Sequence, residues 1–171
     1  MRQSLIGLVA AAAFVALPAH ADINSFVAFM NGANETPDAG DPDGLGSGSV
    51  SIDTIANTVS WSFLLNNVAM PLSGAHIHAG PAGVAGPVIV NFSAQLAGAN
   101  LFDADLASIN PGNAANFYLN VHNAAFPGGA VRGQLQFVGS VAAVPEPSTY
   151  GLLVAGLGAI GLWARRRRKP A

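Results

Sequence analysis

The chain has 171 residues, with seven Lys or Arg against nine Asp or Glu, and 51% of it is hydrophobic. It has no cysteine, which excludes a disulfide framework and a thiol nucleophile. Apart from Arg2 and Arg132, the cations sit at the C-terminus, so Asp22–Val144 carries eight acids against the single Arg132, a net charge of −7 that repels phosphate backbones and excludes nucleic-acid binding.

At the N-terminus, Arg2 precedes an apolar stretch from Leu5 to Leu17, and Ala19-His20-Ala21 supplies the small-x-small pattern that signal peptidase cuts. The stretch is short and no stop-transfer pattern follows, which favours cleavage over an N-terminal anchor. Residues 1–21 are therefore expected to be a signal peptide, with the mature chain beginning at Asp22. Residues 22–144 then form one domain of 123 residues, ample for a single core.

Within that domain, short runs rich in β-branched and aromatic residues alternate with Gly, Pro, Asn and Asp clusters, and no segment sustains a 3.6-residue period. The pattern predicts an all-β fold with strands at 25–30, 48–53, 58–65, 74–78, 87–92, 117–122 and 131–138, a number that suits a sandwich. Thr58-Val59-Ser60-Trp61-Ser62-Phe63 alternates as a half-buried strand, with Trp61 as a core anchor. The acidic stretch from Asp38 to Gly44 lacks the alternating ligands of a calcium loop and reads as a solvated turn. Residues 103–109 can form one helical turn capped by Asp103, stopped by Asn110-Pro111-Gly112.

Three histidines lie outside the signal peptide, in Gly74-Ala75-His76-Ile77-His78-Ala79-Gly80 and Tyr118-Leu119-Asn120-Val121-His122-Asn123. Strand alternation puts His76 and His78 on one face, about 6.6 Å apart along the backbone. If the strand of His122 lies beside theirs, three neutral imidazoles define a site suited to copper or zinc. The plainer alternative is that each ring bonds a loop carbonyl and holds a connection in shape. Arg132, the one cation in a negative domain, is expected to pack against an acid, with Glu35 as a candidate partner. Other chemistries lack support: no Gly-x-Ser-x-Gly elbow, no phosphate-cradling glycine loop, and carboxylate pairs only in polar loops. The chain is therefore read as a non-enzyme.

The C-terminus carries Pro145-Glu146-Pro147, an apolar run from Thr149 to Ala164, and a basic tail from Arg165 to Lys169. Sixteen residues of helical rise reach about 24 Å, close to the thickness of a hydrocarbon core. Tyr150 and Trp163 sit at the ends of the run, where amphipathic rings favour headgroup level, and the basic cluster is expected to stay cytoplasmic. Residues 149–164 are thus expected to be a transmembrane helix. This order of elements over residues 145–171 resembles the PEP-CTERM sorting signal of Gram-negative bacteria. The resemblance implies recognition by an exosortase at the inner membrane, processing near the motif, and delivery of the exported domain to the cell surface or extracellular matrix.

The runs FVAFMNGANETP, GAHIHAGPAGVAGPVIV and NFYLNVHNAAFPGGAVRGQL are similar to the three blocks of the CHRD domain, first named from chordin. The chain departs from that pattern in having Ala130 after the paired glycines, where many relatives carry an acid, and Glu35-Thr36-Pro37 in the first block. The family implies an immunoglobulin-like antiparallel β-sandwich of seven or eight strands. Its function is then expected to be that of a non-catalytic module of the cell surface or an extracellular polysaccharide matrix. The same blocks more remotely resemble the histidine pattern of Cu/Zn superoxide dismutase. On that analogy His76, His78 and His122 are copper ligands, Arg132 is an anion guide, and the alternative function is a copper-binding redox protein. A bridging fourth histidine, a matching zinc-site aspartate and a cysteine pair are missing.

Overall fold

The structure, a computed structural model, describes residues 22–142 and 147–167. The signal-peptide residues 1–21, Pro145 and Glu146 of the sorting motif, and the last cations, Arg168 and Lys169, lie outside the described residues. The described residues belong to two compact units, a β-domain and a C-terminal helix.

The β-domain contains β1 (Asp22–Asn31), β2 (Leu45–Asp53), β3 (Thr58–Asn66), β4 (Leu72–Ala79), β5 (Val88–Asn91), β6 (Ala97–Phe102), β7 (Phe117–Asn123), β8 (Val131–Gln134) and β9 (Gln136–Ala142). Neighbours run in the order β5-β4-β7-β8-β1-β2-β3-β6, with β9 also paired to β1, and every pairing is antiparallel. In β3 the hydrophobic alternation does what the pleat demands. Val59, Trp61 and Phe63 turn inward, while Ser62 stays exposed and bonds Ser49 of β2 at 2.9 Å. Trp61 stacks on Phe92 at 4.6 Å, and its indole N–H donates to Gln95 O at 3.2 Å.

One apolar cluster joins Val50, Ile52 and Val59 of β2 and β3 to Ile77, Leu119 and Val121 of β4 and β7, so the strands form two facing layers. Each such aliphatic side chain contributes about 1.5–3 kcal/mol on burial. Among the described residues, all members of the cluster lie between Phe26 and Leu135, so the sandwich has a core of its own.

Among the described residues, nine strands replace the seven read from the sequence. β6 escaped because Ala97-Gly98-Ala99-Asn100 has neither β-branched residues nor alternation; it pairs with β3, and a Cβ at Gly98 would overlap the Trp61 indole. The run 131–138 divides at buried Leu135, where the chain passes from pairing with β7 to pairing with β1. The helical turn is a 3-10 turn over Ala104–Ser108, with the Asp103 carboxylate accepting from Asp105 N. The acidic loop is solvated at Asp38 and Asp43, as its composition suggests, but not at Asp41. Asp41 is buried, and the amides of Gly40 and Asp41 donate to Gly32 O and Ala130 O, both at 2.9 Å.

The C-terminal unit is the helix α1 (Pro147–Arg167), beginning at the last residue of the sorting motif. Its apolar side chains, from Leu152 to Trp163, are exposed, and the Arg167 guanidinium lies 3.9 Å from the Trp163 ring centre. Among the described residues, no helix is long and apolar enough to cross a membrane, so the span expected at 149–164 is not shown. Four glycines and the arginines of the last turn dilute the leucines of this helix.

Candidate metal centre

In an antiparallel pair, residues directly opposite share a face. The register therefore builds a polar layer on the side of β4, β7 and β8 away from the core. Gly74 faces His122, His76 faces Asn120, and His78 faces Tyr118 across β4 and β7. On β8, Arg132 lies opposite Asn120 and Gln134 opposite Tyr118. The intervening Ala75, Ile77, Leu119, Val121 and Val131 point into the core, which anchors the layer on rigid strands.

This register brings the three predicted histidines together. One ring nitrogen from each of His76, His78 and His122 lies within 4.8 Å of the others. Their ring centres are 5.5 Å (76–78), 5.0 Å (76–122) and 6.1 Å (78–122) apart. The approach depends on Gly74, where a Cβ would stand 2.8 Å from His76 Cε1.

Hydrogen bonding identifies the free donor atoms. His78 Nδ1 is 2.9 Å from Gly86 O, and His122 Nδ1 is 3.1 Å from Pro127 O. A carbonyl can only accept, so in a neutral ring each Nδ1 carries the proton and each Nε2 keeps its lone pair. The Nε2 atoms of His78 and His122 and the Nδ1 of His76 are buried without a partner. One nitrogen from each ring thus converges on one focus, and an ion about 2.0–2.1 Å from each would draw them to roughly 3.4 Å apart.

Electrostatics keep these rings neutral. Burial, reinforced by the neighbouring His122 and His78, pushes His76 down to about 4. Burial lowers His78 as well, opposed by its bond to Gly86 and aided by His122 and Arg132. His122 is lowered by burial against the raising effect of its bond to Pro127. Neutral imidazole is the form that binds a transition metal.

Arg132 and Glu35 lie in the same layer but not at the histidine focus. Arg132 is 1% exposed; its Nη2 donates to Pro81 O at 2.9 Å, Val84 O at 3.0 Å and Gln134 Oε1 at 3.1 Å. The guanidinium sits 3.5 Å from the Tyr118 ring centre, so it faces protein rather than solvent. Its hydrogen bonds go to carbonyls and Gln134, not to Glu35. The Glu35 carboxylate accepts from Asn120 Nδ2 at 3.3 Å and packs on Gly129, whose φ of +145° and lack of Cβ make room for it. Burial pushes the Glu35 carboxyl up to about 7, against the lowering effects of the Arg132 charge and the Asn120 bond.

Among the described residues, seven buried side-chain polar atoms lack a partner, and six belong to Glu35, His76, His78, Asn120, His122 and Arg132 of this layer. Such concentration marks a site, because isolated unpaired groups are costly in a folded interior. Sequence reasoning missed Gly74, Tyr118, Asn120 and Gln134. The alternation Tyr118-Leu119-Asn120-Val121-His122, polar on one face and apolar on the other, was the available signal.

The comparisons with known proteins agree with two of the three resemblances drawn from the sequence; the one to Cu/Zn superoxide dismutase is not shown. A PEP-CTERM protein-sorting motif matches residues 143–169. No curated protein and no solved structure is matched by this chain. A CHRD domain matches residues 26–135, which include every strand of the polar layer, and the chain belongs to the CHRD domain family.

Proposed function

We propose that this chain is an exported, non-catalytic surface module whose sandwich binds a transition-metal ion through His76, His78 and His122. Sorting by an exosortase follows from the PEP-CTERM motif. In this reading, signal peptidase removes residues 1–21, and the exposed apolar helix and its arginines engage the inner membrane until processing. The mature sandwich then works at the cell surface or in an extracellular polysaccharide matrix. Its charge of −7 and lack of disulfides suit a domain that uses a cation as a cross-link.

The observation that carries the metal assignment is the convergence of one ring nitrogen from each histidine within 4.8 Å, in a cluster where each ring has a buried nitrogen without a partner. Imidazole suits copper and zinc. Copper redox chemistry is the second reading, favoured by a donor set of three, which leaves a coordination position open.

The test uses residues 22–144, which contain every described member of the core cluster. The protein is loaded with Cu(II) or Zn(II), freed of excess, and its metal content measured beside His76→Ala. One ion per chain, lost in the variant, supports the assignment; no retained metal at pH 7.5 overturns it, because neutral imidazoles are then fully available. Superoxide turnover by the copper form would displace the non-catalytic reading. Mass spectrometry of the surface-derived protein checks the sorting, since an uncut C-terminus contradicts it.

A further inference from the structure

The connection from Gly80 to Pro87 runs over the polar layer and is held at successive points. Arg132 Nη2 donates to Pro81 O and Val84 O, and Gln134 Nε2 donates to Gly80 O at 3.0 Å. The amide of Gly86 donates to Tyr118 Oη at 3.1 Å, and the Ala79 amide donates to Pro87 O at 3.0 Å. A Cβ at Gly86 would overlap Ala79 O, so the strap lies against the strand. The carbonyl of that same Gly86 receives His78 Nδ1. Beneath it, the rings stack: His78 lies on Tyr118 at 4.8 Å and 11°, and Arg132 lies 3.5 Å from the Tyr118 centre.

Taken together, these contacts fix two properties of His78. Stacking sets the plane of its ring, and Gly86 O sets which nitrogen bears the proton. We infer that Arg132 and Tyr118 are positioning residues for the metal centre, acting through the Gly80–Pro87 strap to hold His78 with Nε2 free and aimed at the ion. The inference rests on the metal assignment above. It also explains why the domain's sole cation is buried under a loop. Its Nη2 reaches both carbonyls while Nε and Nη2 together hold Gln134 Oε1, a planar two-nitrogen contact that lysine lacks. Outer partners that orient a histidine typically change metal affinity by about 10–100-fold.

The decisive variant is Tyr118→Phe, which keeps the ring stack and removes only the hydroxyl that receives Gly86 N; Arg132→Lys is its companion. Zinc affinity is measured for residues 22–144 with all three histidines intact. The ring ¹⁵N shifts of the metal-free protein are recorded in parallel, with Val50→Ala as a destabilised control remote from the strap. The expected result is a zinc affinity about 10–100-fold weaker in Tyr118→Phe. The His78 tautomer should become mixed while His122, held by Pro127, is unchanged, and Val50→Ala should bind as wild type. Unaltered affinity and tautomer in Tyr118→Phe would overturn the inference, as would an equal loss in Val50→Ala, which would mark a general stability effect. Wild-type protein that binds no zinc overturns the metal assignment itself, a different result from tight wild-type binding that Tyr118→Phe leaves intact. If Arg132→Lys does not fold, Tyr118→Phe decides alone.

Discussion

Replacing Glu35 with glutamine should stabilise the sandwich at alkaline pH and leave it unchanged in acid. The folded domain holds the Glu35 proton more tightly than the unfolded chain does, because burial lifts its pKa from 4.5 to about 7. Below pH 4.5 the carboxyl is protonated in both states and carries no penalty. Between pH 4.5 and 7 only the unfolded chain ionises, so stability falls, and above 7 the loss is complete. At 1.36 kcal/mol per pKa unit, the shift corresponds to a ceiling of about 3 kcal/mol, which relaxation around the carboxyl reduces to about 2 kcal/mol. The glutamine amide of Glu35→Gln can still accept from Asn120 and has nothing to ionise. Urea unfolding of both proteins from pH 4 to 8 measures the effect. With a urea slope of about 1–3 kcal/mol/M, the variant should unfold about 1 M higher at pH 8 and coincide with wild type at pH 4. The difference between the proteins isolates Glu35, because the three histidines, with lowered pKa values, act in both and in the opposite sense: they lose stability as pH falls. Parallel curves, or a variant less stable at pH 8, would refute the argument, since the latter means that the ionised carboxylate is paired.

Zinc affinity should survive mild acid. Three ordinary imidazoles would lose about 10⁴-fold in affinity between pH 7 and 5, whereas with His76 at about 4 and the other two rings lowered the loss should stay under about 10³-fold by calorimetry; a full 10⁴-fold loss contradicts the burial argument. Gly74→Ala should weaken zinc binding at least about tenfold with an unchanged circular dichroism spectrum, because its Cβ pushes the His76 ring. Wild-type affinity in that variant would show that the ring approach does not matter. Gly98→Ala should cost about 1–3 kcal/mol in urea unfolding, since the added carbon overlaps the Trp61 indole; a neutral result would mean that β6 yields freely at this edge.

Much of this protein could be read from local chemistry. Alternation in Thr58–Phe63, the His76-x-His78 pair on one face and the order of elements at the C-terminus are properties of neighbouring residues, and they set the all-β class, two of the three clustered histidines and the sorting signal. Only the tertiary structure decided the rest, because it depends on pairings between distant segments. The register that faces Gly74 with His122 brings the third ring to the first two and lines up Asn120 and Arg132 beside them. The burial of Arg132 under a loop some fifty residues earlier in the chain, the pinning of Asp41 to Ala130, and the assembly of β6 from a featureless Ala/Gly run are likewise non-local. Charge and periodicity describe what a residue prefers, whereas its partners are fixed by which strands meet, and that is a property of the whole sheet.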